Sequence, residues 1–194
     1  MTFDVKKMQA ALAVPADGVA GPQTFTALFQ RAGATTDRAQ EMAIAAARWF
    51  ADYGLLDSGL RLAHFLAQQI HESGSFRYME EIASGAAYEG RIDLGNSQPG
   101  DGVRFKGRGP FQLTGRANYR RFGARIGIDL ERHPEIAAFP SIGQHIACEY
   151  WKDRGLNALA DADDLTAITR KINGGLNGFE QRKAILARVK GWLL

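Results

Sequence analysis

The chain has 194 residues, 45% of them hydrophobic, enough for one domain with a real core or one domain plus a small module. A formal net charge of +3 favours an anionic polymer only weakly, and no basic stripe with interleaved aromatics marks a nucleic-acid binder. No run of about 18 apolar residues is present, so no membrane-spanning helix is expected, and the single cysteine excludes an internal disulfide.

In chain order, Val5, Met8 and Leu12, with the neutral Gln9, set one face of a short helix. Asp17-Gly18-Val19-Ala20-Gly21-Pro22 is dense in turn signals, and Pro22 at a first helical position opens a second helix, Gln23 to Arg31. Residues 1–33 therefore predict a helical hairpin. Gly33 to Asp37 reads as a short linker that caps the next helix through Thr36 or Asp37. Asp37 to Tyr53 is alanine-rich, and Leu60 to Ser73 places Leu62, Ala63, Leu66 and Ile70 at a helical period. Residues 83–110 are glycine-rich without a sustained period and predict a long loop, of a length usually tied to function. Helical patterns return at 115–127, 141–154, 164–173 and 179–193, and no stretch alternates convincingly as a strand. The fold class is mainly α. In the last helix Ile185 and Val189 are predicted to face the core. Trp192 to Leu194 stand open as a frayed end able to touch an anionic membrane transiently.

Cys148, inside Ile146-Ala147-Cys148, reads as buried packing rather than a nucleophile. His64, His71, His133 and His145 show no ligand spacing with one another or with Cys148, so no metal site is expected. Met1-Thr2-Phe3-Asp4-Val5-Lys6 lacks a basic region followed by an apolar one, and no secretory signal is expected.

Two segments carry the chemistry. In His71-Glu72-Ser73-Gly74, Glu72 lies four positions after Gln68 and seven after Phe65, at the edge of a buried helix face and in the last helical turn. Burial and the helix dipole both favour the protonated acid there, which suits a general acid toward a glycosidic oxygen. A second carboxylate must pair with it. Glu80 and Glu81 follow closely, and spacing alone does not choose between them; Asp93 and Asp101 are weaker candidates. Inverting glycosidases hold their carboxyls about 6.5–9.5 Å apart, and a bend at Gly74 followed by a returning segment suits such a gap.

The second segment runs from Gly107 to Tyr119. Gly107 and Gly109 permit close backbone approach, Pro110 stiffens the exit, and Gln112, Thr114 and Asn118 offer neutral amides and a hydroxyl suited to sugar hydroxyls and N-acetyl groups. No Gly-Lys-Ser/Thr follows, so a phosphate loop does not fit. Ile172-Asn173-Gly174-Gly175-Leu176-Asn177 ends a helix with Gly174 as its C-cap and offers Asn173 as a further polar group. Arg182 follows two turns into the last helix.

The order His71-Glu72-Ser73-Gly74, Gly107 to Thr114, Asn118-Tyr119, Ile126 to Leu130, Pro134-Glu135 and Ile172 to Gly175 resembles the catalytic domain of family 19 glycoside hydrolases, the chitinases and phage-type lysozymes. The resemblance implies a lysozyme-like, α-helical, bilobal domain with a cleft, and inverting hydrolysis of β-1,4 bonds next to N-acetylglucosamine, with no cofactor. It places Glu72 on the general acid, Glu81 on the general base of the phage-type branch, and Thr114 on the hydroxyl that holds the attacking water. His71, Gln112, Asn118, Asn173 and Arg182 fall on substrate-binding positions. The short interval between the glutamates and the lack of disulfide cysteines depart from plant chitinases and turn the expectation away from crystalline chitin. Gln9, Leu12, Asp17-Gly18, Gly21-Pro22-Gln23-Thr24 and Leu28 resemble part of a peptidoglycan-binding repeat. The expected organisation is a wall-binding-like module at 1–33 and a catalytic domain at 37–194. The expected protein is a monomeric phage-type endolysin for peptidoglycan glycan strands. It would accumulate in the producing cell's cytosol and reach the wall once the inner membrane is breached. A chitinase acting on chitin oligomers and a non-catalytic wall-binding protein are the alternatives.

Overall fold

The computed structural model describes residues 3–194; Met1 and Thr2, part of the stretches examined for a wall-binding module and a secretory signal, lie outside the described residues. The described chain is built from helices α1 (Val5–Ala11), α2 (Pro22–Arg31), α3 (Thr36–Trp49), α4 (Gly59–Glu72), α5 (Asp101–Arg104), α6 (Arg116–Ile126), α7 (Pro140–Asp153), α8 (Leu156–Asp161), α9 (Leu165–Asn173) and α10 (Phe179–Leu193). Among the described residues no sheet forms, only two isolated antiparallel bridges, Glu80 with Arg108 and Arg108 with Leu113.

Helix α4 is the axis of the fold. Ser58 starts it by accepting the Leu60 N–H on its hydroxyl at 3.2 Å. From Leu62 to Ile70 every residue is buried, so the helix is enclosed on all sides rather than along one stripe. Helices α8 and α10 pack along it, and Phe65 meets Phe50, Phe111 and Trp151 edge-on at 5.4, 5.7 and 5.3 Å. The helix thus delivers its last residue, Glu72, from the middle of the core to the surface.

The N-terminal hairpin forms as predicted, with Pro22 at the first position of α2. Gln9 is buried and its amide staples the turn: Nε2 donates to Asp17, the Val19 carbonyl and Thr24, while Oε1 accepts the Gly18 N–H. The residues that resemble a wall-binding repeat therefore hold the hairpin together. Its apolar face does not close on itself. Phe25 packs on Phe50 at 5.2 Å and Phe29 on Phe76 at 5.5 Å, and one continuous core holds Met8, Leu12, Phe25, Leu28 and Phe29 together with Phe65 and Trp151. The segment expected as a linker is packed as well. A Cβ on Gly33 would lie 2.9 Å from the Ser75 Cβ, and the Arg38 guanidinium donates to the Phe76 carbonyl.

Three boundaries differ from expectation. Thr35, not Thr36 or Asp37, is the N-cap of α3. That helix ends at Trp49 because the chain turns at Gly54 (φ +67°) to bury Leu55. The loop at 83–110 contains short 3-10 turns at Ala86–Tyr88 and Ile92–Leu94 as well as α5. It is tied to the start of α6 by Arg116, which pairs with Asp101 at 2.5 Å, and by Asn96, which accepts the Arg116 N–H and donates to the Tyr88 carbonyl. The end of α10 is also not frayed. Trp192 and Leu193 are buried, with Arg31 and Arg188 over the indole at 5.2 and 5.5 Å, so these two residues belong to the core, while Leu194 is exposed. Cys148 is buried among these helices, and burial pushes its thiol up, leaving it unreactive.

Candidate active site

The chain leaves α4 by a tight turn. The Ser73 hydroxyl donates to the Gln69 carbonyl at 2.6 Å and accepts the Phe76 N–H at 2.8 Å. Gly74, Ser75 and Phe76 all have positive φ, of 58°, 63° and 62°. Two consecutive non-glycine residues in that region store strain, here overruled by burial of the Phe76 ring.

The Glu72 side chain is 20% exposed. Arg182, from α10, stands among the expected substrate-binding residues, but its side chain is only 1% exposed. Its Nη2 donates to Glu72 Oε1 at 2.5 Å, Nη1 donates to Gln68 Oε1, and Nε reaches the Asn177 carbonyl at 3.4 Å. Among the described residues the other carboxylate oxygen, Oε2, accepts no hydrogen bond. His71 is half-buried; burial and the nearby Arg182 charge hold its imidazole below the ordinary range, so it is neutral at pH 7. Its ring lies against Gly178, where a Cβ would come within 2.5 Å.

After the turn the chain returns as an extended segment along residues 107–109. Gly109 N donates to the Met79 carbonyl at 2.8 Å and Glu81 N to the Gly107 carbonyl at 2.9 Å. Neighbours on an extended segment point to opposite faces, and the two glutamates separate accordingly. Glu80 pairs with Arg108 at 2.9 Å and Lys106 at 3.4 Å. Glu81 has no salt bridge among the described residues; Tyr88 Oη donates to its Oε1 at 3.0 Å and Gly107 N to its Oε2 at 3.1 Å. The absent side chain of Gly107 leaves room for both groups, since a Cβ would sit 2.8 Å from Gln112 Oε1 and 3.3 Å from Glu81 Oε2. Asp101 is taken up by Arg116, and Asp93 is an exposed partner of Arg91.

Of the uncharged groups of the second segment, Gln112 lies against Gly107 on the side where the Glu81 carboxylate sits. Gln112, itself at φ +50°, donates from Nε2 to the Gly109 carbonyl at 3.0 Å and toward the Tyr78 carbonyl at 3.4 Å, bridging the two segments. Thr114 donates its hydroxyl hydrogen to the Gln112 carbonyl at 2.9 Å, which leaves the oxygen as an acceptor for a water. Asn118 donates to the Thr114 carbonyl at 2.8 Å, fixing its amide one turn into α6. Asn173 is exposed at the end of α9, where Gly174 (φ +77°) forms the expected C-cap.

No family model matches the chain. A protein of Haemophilus influenzae described as containing a glycosyl hydrolase family 19 domain is 31% identical over 154 aligned positions, covering 63% of this chain and 75% of the relative. The chain belongs to glycoside hydrolase family 19. An endochitinase of Arabidopsis thaliana is 36% identical over 151 positions, covering 77% of this chain; the chain spans about half (52%) of that relative's length. The crystal structure of a chitinase C superposes with a TM-score of 0.71 over 91% of this chain and 93% of the other, at 20% identity. The mainly helical, lysozyme-like family 19 fold is thereby shown. That superposition extends well beyond residues 71–175, the span of the sequence motifs.

Three polar residues of the site escaped the sequence reading. Gln68 and Tyr88 contact Arg182 and Glu81 directly. Tyr150, on α7, reaches the Ile172 carbonyl at 3.4 Å, and burial holds its hydroxyl above the ordinary range. An aromatic inside a glycine-rich loop was an available signal for Tyr88; nothing in the sequence singled out the other two.

Proposed function

We propose that the chain is an inverting glycoside hydrolase that cuts β-1,4 bonds in peptidoglycan glycan strands, as a phage-type endolysin does. The observation that carries this reading is the contrast between its two carboxylates. Glu72 emerges from the core with one oxygen held by Arg182 and the other unengaged. The Glu81 carboxylate makes no salt bridge among the described residues and is oriented by one hydroxyl and one backbone N–H. In the proposed step Glu72 passes its proton to the leaving glycosidic oxygen. A water resting on the Thr114 oxygen attacks the anomeric carbon from the opposite face and gives its proton to Glu81. Gln112, Asn118, Asn173 and His71 supply neutral hydrogen-bonding groups for sugar hydroxyls and N-acetyl groups.

Peptidoglycan as substrate is supported by the phage-type spacing of Glu72 and Glu81, and by the wall-binding-like residues of the hairpin. Chitin oligomers are the second reading, favoured by the 36% identity to the Arabidopsis endochitinase. The test is digestion of purified sacculi and of chitin hexamer in parallel, with mass analysis of soluble products and the anomeric configuration of early products followed by NMR. Glu72→Gln should lower turnover by about 10²-fold or more with the fold intact. Near-normal turnover in that variant, or early products of retained configuration, overturns the mechanism.

A further inference from the structure

Gln68 is completely buried one helical turn before Glu72, on the same face of α4. Arg182 reaches between them and donates one Nη to each side chain. A guanidinium only donates, so the Gln68 amide must turn its oxygen toward it. The amide nitrogen is then left buried without a partner among the described residues. Gln68 therefore tolerates an orphaned donor in the core, which disfavours folding, in order to present an acceptor to Arg182.

Within salt-bridge distance, Arg182 is the one charged group on Glu72 among the described residues. His71, the preceding residue on α4, and Tyr150, facing from α7, are held neutral at working pH, His71 by a lowered and Tyr150 by a raised titration range. A buried arginine whose only acceptor is one carboxylate turns both Nη groups onto it, and such a bidentate pair favours the ionised form. A neutral second acceptor prevents this. It also keeps the arginine in place while the carboxyl is protonated.

We propose that Gln68 is a positioning residue for catalysis: its side-chain oxygen takes one of the two Nη groups of Arg182, so that Glu72 is oriented by the other without being fixed as a carboxylate. The proposal rests on Glu72 being the general acid. Removing the acceptor and adding a second carboxylate must therefore act in opposite directions. With methionine at position 68, both Nη groups of Arg182 are given to Glu72 and the proton is released at lower pH. With glutamate, a second anion one turn away on the same helix shares the cation and repels Glu72, so the proton is retained to higher pH.

The experiment measures turnover against pH on chitin hexamer and on purified peptidoglycan for wild type, Gln68→Met, Gln68→Glu and Glu72→Gln, with thermal unfolding of each. Gln68→Met should lose about tenfold in turnover, the loss of one hydrogen bond to a charged group. Its alkaline limb should move down by about one pH unit, and that of Gln68→Glu up by a similar amount. Limbs that stay put in both folded variants, or move the same way, overturn the proposal even if Glu72→Gln is inactive. An active Glu72→Gln overturns the acid assignment itself, and this inference with it. Should Gln68→Met fail to fold, the direction of the limb in Gln68→Glu decides alone.

Discussion

Phe29→Ala tests whether the N-terminal hairpin belongs to the catalytic core. Phe29 is fully buried, edge-on to Phe76 at 5.5 Å and to Phe50 at 6.5 Å. Phe76 is the last residue of the strained turn after Glu72, so the pair joins the hairpin to the site. Truncating a buried phenylalanine to alanine costs about 3–5 kcal/mol, through lost transfer free energy and the cavity left behind. The site is enclosed by α2, α3 and the 73–79 turn, so the cavity has little room to collapse, which puts the expectation at about 4 kcal/mol. For a chain of this length each kcal/mol lowers Tm by about 2–4 °C, so a drop of about 8–16 °C is expected by calorimetry at pH 7. Deleting residues 1–33 would also remove Met8, Leu12, Phe25 and Leu28 from the core and should prevent folding altogether. Chain truncation therefore cannot separate wall binding from catalysis, whereas surface substitutions on the hairpin can. A Phe29→Ala protein melting within about 3 °C of wild type, or a truncated chain that folds and turns over small glycans, refutes the reasoning.

Gly107→Ala needs no unusual backbone but places a methyl against Gln112 and Glu81; displacement of either by about 1 Å should cost about 10²-fold in turnover with little change in Tm. Glu81→Gln should abolish turnover while Glu80→Gln, which loses the charge of a half-exposed glutamate paired with Arg108 and Lys106, keeps most of it; the reverse ranking in the same assay rejects Glu81 as base. Arg120 and Arg116 hold the Glu131 carboxyl at about 2, against an ordinary 4.5. Its folded value is depressed, so its stabilisation is fully present above pH 4.5 and fades as pH falls toward 2. The difference in stability between wild type and Glu131→Gln should accordingly shrink across that window in urea titrations, and a difference constant with pH argues against the ion pair.

Much of this protein is local and was legible in its sequence. The helical period, Pro22 at the start of α2, Gly174 at the end of α9 and the long glycine-rich loop follow from backbone preferences of individual residues. The two chemical segments were visible because reactive and neutral polar groups cluster there at short range. Tertiary structure alone decided which polar groups are buried and what they touch. Arg182 looks like a solvated charge on a basic helix until α10 is laid against α4, and Gln68 looks like filler until that guanidinium arrives. Spacing left Glu80 and Glu81 equivalent; they part only when the extended segment pairs with residues 107–109 and Arg108 takes Glu80. The hairpin has the pattern of a small module, but its phenylalanines find their partners on Phe50 and Phe76. A period shows which side of a helix is apolar. Which surface covers it, and whether a charge on its edge meets water or another side chain, depends on contacts far apart in sequence.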